Sequence, residues 1–218
     1  DTAARSLALL NAKTKEEAAR LAGDLTALNQ SRKALTEKGK EEAIRIIETT
    51  ELKNDRVLVV YLPDCHESLA GIIAGRIREK YHRPAFVLTG GETSAKGSGR
   101  SIESYSMYEE LVKCADLMIQ FGGHPMAAGL SIEEKNIEEF RRRLNVNCTL
   151  TDEELRPKIV IDVPMPVSYI TKELVEQILL LEPFGKGNTK PVFAQKNLRV
   201  LDHSIICLLY TSPSPRDA

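Results

Sequence analysis

The chain has 218 residues, 42% hydrophobic and 28% charged, which supports a buried core in one or two domains and excludes a disordered chain. Lys plus Arg number 30 against 31 Asp plus Glu; a net charge of −1 excludes nucleic-acid binding by bulk positive charge but not a local cationic groove. No apolar run approaches the roughly 20 residues of a membrane span and no signal peptide opens the chain, so a cytoplasmic protein without a membrane partner is expected. Asp1 stands where an initiator Met would, and a piece of a longer protein is expected.

Residues 14–49 predict one long helix. Thr14 and Glu17 have capping-box spacing, and Leu21, Leu25, Leu28 and Leu35 follow at helical intervals, continued by Ile44 and Ile47. From 56 to 150 strands and helices alternate. Val57–Leu62 is a short apolar run typical of a buried strand, and Leu69, Ile72, Ile73 and Ile77 mark one face of a helix. A strand over 85–88 ends at Gly90-Gly91, and a polar, glycine-rich strand over 97–102 follows. Ser106 and Glu109 cap a helix; 117–121 and 127–132 read as strands; Ile137, Phe140 and Leu144 place a last helix on the core. This order predicts an α/β unit on one mixed sheet. A boundary falls near 150–157, strands are predicted over 158–163 and 191–201, and a helix between them near 171–181. The end, 208–218, fits neither period.

The four cysteines, Cys65, Cys114, Cys148 and Cys207, include no C-x-x-C pair, so no zinc site is indicated and buried, reduced thiols are expected. Charge is uneven locally. From Gly71 to Ser101, Arg76, Arg78, Lys80, Arg83, Lys96 and Arg100 face only Glu79 and Glu92, and from Gly185 to Val200 Lys186, Lys190, Lys196 and Arg199 meet no acid.

Three motifs carry candidate chemistry. In Lys96-Gly97-Ser98-Gly99-Arg100-Ser101, glycines let backbone approach a ligand, while Ser98 and Arg100 share one face of an extended strand and suit phosphate oxygens. The alternative is a glycine-weakened edge strand with ordinary surface polars. In Gly122-Gly123-His124, followed by Ala127, Ala128 and Gly129, the double glycine permits a positive-φ turn with bare N–H groups. His124 there either donates to phosphate or plays a structural part. In the third motif, His66 stands near a helix N-terminus, where anions are favoured; Ala70 occupies the second histidine position of a zincin, so a metal is not indicated. No Walker A, nucleophile triad or aspartate cluster is present.

Together these residues resemble the DHH-associated domain of the RecJ family of bacterial single-strand-specific exonucleases. The resemblance is carried by His66-Glu67, Gly71-Ile72, Arg76, Arg83-Pro84, Gly97 to Ser101, and Gly122-Gly123-His124 with Ala127, Ala128 and Gly129. Residues 14–49 resemble the family's connector helix, and Leu181 to Asn188 with Pro191-Val192-Phe193 resembles the entry to its OB-fold. Cys65, Ser68 and Thr189 depart from the family's tryptophan, glycine and proline. The resemblance implies 1–55 as helical connector, 56–150 as DHH-associated substrate-binding domain, 151–203 as the start of a truncated OB-fold, and 204–218 as a non-native or disordered tail.

The resemblance also implies a function: 5′-to-3′ degradation of single-stranded DNA in repair and recombination. It implies two Mn²⁺ or Mg²⁺ ions, held by a DHH domain expected before Asp1 and none by this chain, which alone is expected to be inactive. Ser98 and Arg100, with Ser101 beside them, match positions for the DNA 5′-phosphate. The loop Gly122, Gly123, His124 to Gly129 matches one that closes over substrate, with His124 as substrate-side catalytic support. His66 and Arg76 match positions at the same cleft, and Lys186 and Lys190, with Lys196 and Arg199, a strand-binding OB surface. Single-strand-binding protein and a helicase are implied partners. Two alternatives stay open: a DHH-superfamily phosphodiesterase for short oligoribonucleotides or cyclic dinucleotides, and a non-catalytic single-strand-binding module.

Overall fold

The computed structural model describes residues 2–185 and 187–199. They form two compact units, one through Pro157 and one from Lys158 onward.

The first unit opens with helices α1 (Thr2–Leu10) and α2 (Lys15–Thr49). Thr14 caps α2 as its spacing predicts, its hydroxyl accepting from the Glu17 amide at 3.2 Å. Glu17 reaches back one residue further than expected, to the Lys13 amide. Most of α2 is solvated. It buries Leu21, and further along Ala43 and Ile47, which pack on the domain behind it.

That domain runs β1 (Leu58–Leu62), α3 (Glu67–Tyr81), β2 (Ala85–Thr89), β3 (Ala95–Arg100), α4 (Met107–Val112), β4 (Met118–His124), β5 (Ala127–Ile132) and α5 (Ile137–Val146). One mixed sheet holds the strands in the order β1-β2-β3-β5-β4. β1 and β2 are parallel, as the α3 crossover requires, and the other pairs are antiparallel. Alternation along the strands sorts two cores. Val59, Phe86, Leu88, Leu130 and Ile132 face α4 and α5, where Phe86 meets Phe140 edge-on with centroids 5.4 Å apart. Leu58, Val60, Leu62, Ala85 and Val87 face α3 and the end of α2. Arg83 ties the connector to this domain by donating to the carbonyls of Lys53 and Asp55.

Two expectations change. Gly122, Gly123 and His124 belong to strand β4 rather than to a loop, and the tight turn is Pro125-Met126. Gly123 does take a positive φ of 150°, and a Cβ there would lie 2.6 Å from Ala128 Cα. The glycines of β3, expected to face a ligand, turn toward the core. A Cβ would meet Leu88 Cδ2 at 2.6 Å from Gly97 and Phe86 Cε1 at 2.6 Å from Gly99. Large neighbours occupy the space these residues leave.

The second unit has β6 (Val163–Pro164), α6 (Lys172–Leu179) and β7 (Phe193–Ala194). β6 and β7 pair in parallel over far fewer residues than the strands predicted at 158–163 and 191–201. Pro164, Pro166 and Pro191 lack the N–H a longer ladder needs. Lys186 and the predicted tail, 204–218, lie outside the described residues. Among the described residues no helix is long and apolar enough to cross a membrane. Of the cysteines, Cys114 is buried, Cys65 and Cys148 are half-buried, and Cys207 lies outside the description.

Candidate nucleic-acid interface

Strand register builds this interface. Residues directly opposite one another in antiparallel strands share a face, so β3, β5 and β4 present three rungs toward the α3 side of the sheet. The first holds Lys96, Ser131 and Gln120, the second Ser98, Gly129 and Gly122, and the third Arg100, Ala127 and His124. Rungs repeat every two residues, about 6.7 Å. α3 covers this face over β1 and β2 and reaches β3. On β5 and β4 the same face is open: Gln120, Gly122, His124 and Gly129 are exposed.

A cleft of about 570 Å³ lies where α3 meets the open face, lined by Glu67, Ser68 and Ala70 of α3 and by Lys96, Ser98, Gln120, Gly122, Gly129 and Ser131 of the sheet. It combines hydroxyls, an amide, an ammonium and the first turn of a 15-residue helix, whose dipole favours anions. Gly122 and Gly129 keep the floor flat: a Cβ at Gly122 meets nothing within 4 Å, and at Gly129 only the Gly97 carbonyl at 3.8 Å. One carboxylate borders the cleft. Glu67 pairs with Lys96 at 2.6 Å, and that hydrogen bond holds its carboxyl below the usual range.

The structure brings some predicted residues together and separates others. Ser98, Gly122 and Gly129 line the cleft. Arg100 lies at its margin, one rung on, with Nη1 donating to the Gly99 carbonyl at 2.7 Å. Among the described residues no carboxylate pairs with its guanidinium. Ser101 turns away: it is buried, and its hydroxyl donates to the Tyr105 carbonyl at 2.5 Å. His124 is exposed on the third rung. Its Nδ1 accepts from the Met126 amide at 3.2 Å, which leaves the proton on Nε2, free to donate. His66 caps α3, Nδ1 accepting from the Ser68 amide at 3.2 Å, again leaving Nε2 as donor. Arg76 projects from the flank of α3 away from β3 and pairs with Glu79 at 2.9 Å. Arg78 is the basic residue of α3 that reaches toward β3, with Nη1 directed at the Ser101 carbonyl. Lys190 is exposed in the second unit.

Of the lining residues, Lys96 stood in the first motif but not among the predicted contacts, and Gln120, Ser131 and Ser68 were missed. Lys96 was legible, because it is two residues before Ser98 and shares its face. Gln120 and Ser131 become neighbours of Lys96 only through the β3-β5-β4 register. A divalent cation does not fit this donor set, in which the lone carboxylate is already paired with a lysine. Among the described residues no three His, Cys, Asp or Glu side chains gather into a metal site.

Residues 54–148 match the family model described as DHHA1 domain, and 161–207 match RecJ OB domain. The chain is 36% identical over 187 residues to the single-stranded-DNA-specific exonuclease RecJ of Bacillus subtilis, covering 84% of this chain and 24% of that protein. It is 34% identical over 210 residues to Escherichia coli RecJ, covering 92% and 36%. The Mg²⁺ complex of Thermus thermophilus RecJ superposes with a TM-score of 0.74 at 28% identity, over 88% of this chain and 30% of the other. A manganese-bound RecJ gives a TM-score of 0.57 at 31% identity, over 66% and 35%. The chain thus spans between a quarter and about a third of the length of these relatives.

Proposed function

Because the chain is RecJ-like, belonging to that family through a DHHA1 domain followed by a RecJ OB domain, we propose that it holds the 5′ end of single-stranded DNA for an exonuclease whose hydrolytic metals lie in sequence outside these residues. The relatives are single-stranded-DNA-specific exonucleases, and two structural neighbours carry Mg²⁺ and Mn²⁺. In this reading Lys186 and Lys190, in the stretch that matches the RecJ OB domain, also bind the strand.

The observation that carries the reading is the three-rung open face, with Ser98 and Arg100 on adjacent rungs beside α3 and, among the described residues, no carboxylate paired with the Arg100 guanidinium. A terminal phosphate carries about one more negative charge than a bridging phosphodiester, since its second ionisation has a pKa of about 6. Lys96, Arg100 and the dipole of α3 supply charge for it, and Gly122 and Gly129 let a sugar or base lie close to the sheet. His124, through Nε2–H, and His66, through the same atom at the helix cap, donate to neighbouring phosphate oxygens. Residues of this chain therefore bind and orient; none is assigned a proton transfer.

The test uses the 218-residue chain and fluorescence anisotropy with single-stranded DNA bearing a 5′-phosphate or a 5′-hydroxyl. The phosphorylated strand is expected to bind more tightly. Ser98→Ala with Arg100→Ala should remove about tenfold or more of that preference, the worth of hydrogen bonds to a charged group. Equal affinity of the parent chain for both ends sinks the reading. Hydrolysis by the purified chain with Mn²⁺ would show that the chemistry is not elsewhere.

A further inference from the structure

We propose that Gly71 is a positioning residue: it makes the seat in α3 against which the Arg100 guanidinium is held for a terminal phosphate. The inference rests on the function proposed above. α3 passes over β3 with Gly71 and Gly75 on the flank that meets Arg100. A Cβ built at Gly71 would fall 2.8 Å from Nη2, 3.4 Å from Cζ and 3.6 Å from Nη1 of Arg100. The charged fork thus lies against bare helix backbone, in the space a side chain would fill. Gly75, one turn on, differs: a Cβ there would meet Arg100 Cγ at 4.0 Å, ordinary contact with the aliphatic stem.

Both glycines lie inside a 15-residue helix, where glycine is less favourable than alanine. Among the described residues a Cβ at Gly75 would meet only ordinary contact, whereas at Gly71 it would take space the guanidinium fills. The fork is held on two sides, by the helix backbone at Gly71 and by the Nη1 bond to the Gly99 carbonyl. A methyl group at 71 would fall 2.8 Å from Nη2, so the end of this flexible side chain must shift from its seat. A planar fork fixed before binding loses less freedom on meeting a phosphate, which is why its seat matters.

The two glycines give a controlled experiment on the full 218-residue chain. Gly71→Ala and Gly75→Ala are both expected to melt at or above the parent temperature, since alanine favours the helix. Gly71→Ala is expected to lower the preference for 5′-phosphorylated over 5′-hydroxyl DNA about tenfold, matching Arg100→Ala, and to add nothing in the Arg100→Ala background. Gly75→Ala is expected to keep the parent preference. A parent-like preference in folded Gly71→Ala, or an equal loss in Gly75→Ala, overturns the seat. A second readout needs no ligand: the Nε resonance of Arg100, assigned by its disappearance in Arg100→Ala. It should shift in Gly71→Ala and stay in Gly75→Ala; an unmoved resonance in Gly71→Ala rejects the seat whatever DNA does. If the parent chain itself ignores the 5′ group, the proposed function fails while the resonance still judges the seat.

Discussion

Gly122 and Gly123 are adjacent, yet the structure asks different things of them. Gly123 is fixed by the fold, with φ at 150° and Ala128 Cα where a Cβ would go, so Gly123→Ala should cost about 1–3 kcal/mol or more in urea unfolding. Gly122 has open space beside it and borders the cleft, so Gly122→Ala should unfold like the parent but bind single-stranded DNA less tightly. Equal destabilisation by the two variants contradicts this division. Glu67 is the other telling residue. Its carboxylate occupies Lys96 and adds negative charge beside the proposed phosphate, so Glu67→Gln should tighten DNA binding about two- to fivefold at low salt, an effect that fades as salt rises. Weaker binding by Glu67→Gln would mean that its carboxylate supports the ligand instead.

At the scale of elements, β3 serves two layers at once. Its Lys96, Ser98 and Arg100 face the open side, and Ala95, Gly97 and Gly99 face Phe86, Leu88 and Met107. Alternation in the sequence exposed the first set. The reason for the glycines was not legible, because the side chains that displace a Cβ come from β2 and α4. Their support is α5, whose Phe140 is fully buried edge-on to Phe86. Phe140→Ala should cost about 3–5 kcal/mol of stability, measured as a lowered urea midpoint. A midpoint near the parent's would show that α5 is not part of the cooperative core. α3 was predicted from its apolar face, but which of its arginines turns to β3 was decided by helix phase against the sheet. Arg76 looks away and Arg78 looks in.

At the scale of the whole chain, three tyrosines among the described residues hold their protons beyond the ordinary range. Burial and then the hydrogen bond with Glu134 push Tyr61 up to about 12; burial and the bond to Glu48 raise Tyr81, and burial raises Tyr105. A raised folded pKa gives stability that is present below pH 10.0, the ordinary tyrosine value, and is lost as pH rises through the folded value. The chain should therefore lose stability from pH 10.0 upward, less steeply in Tyr61→Phe. A flat urea midpoint across that window counts against it. Acid acts oppositely on Glu139, which hydrogen bonds from Arg142 and Arg143 hold down to about 2, so its contribution is full at neutral pH and fades between about 4.5 and 2. The division after Pro157 makes a separate expectation: limited trypsin should cut after exposed Lys158 before it cuts within 57–150. Early cleavage inside the sheet domain would refute the two-unit description.

Local order in the chain was enough for the long capped helix, the α/β order, the domain resemblance and the placing of Ser98 with Arg100 on one face. Each follows from periods of 3.6 or 2 residues, or from residue types a few positions apart. Which neighbours those residues have came from the packing of elements distant along the chain. Register across β3, β5 and β4 assembled Lys96, Ser131 and Gln120 into one rung, turned Ser101 inward to Tyr105, and extended β4 through Gly122 and Gly123. Above all, the contact of Arg100 with Gly71 joins residues 29 positions apart through the docking of a helix on a strand. Local periodicity carries no information about such docking, because it depends on the volumes of side chains drawn from several elements at once.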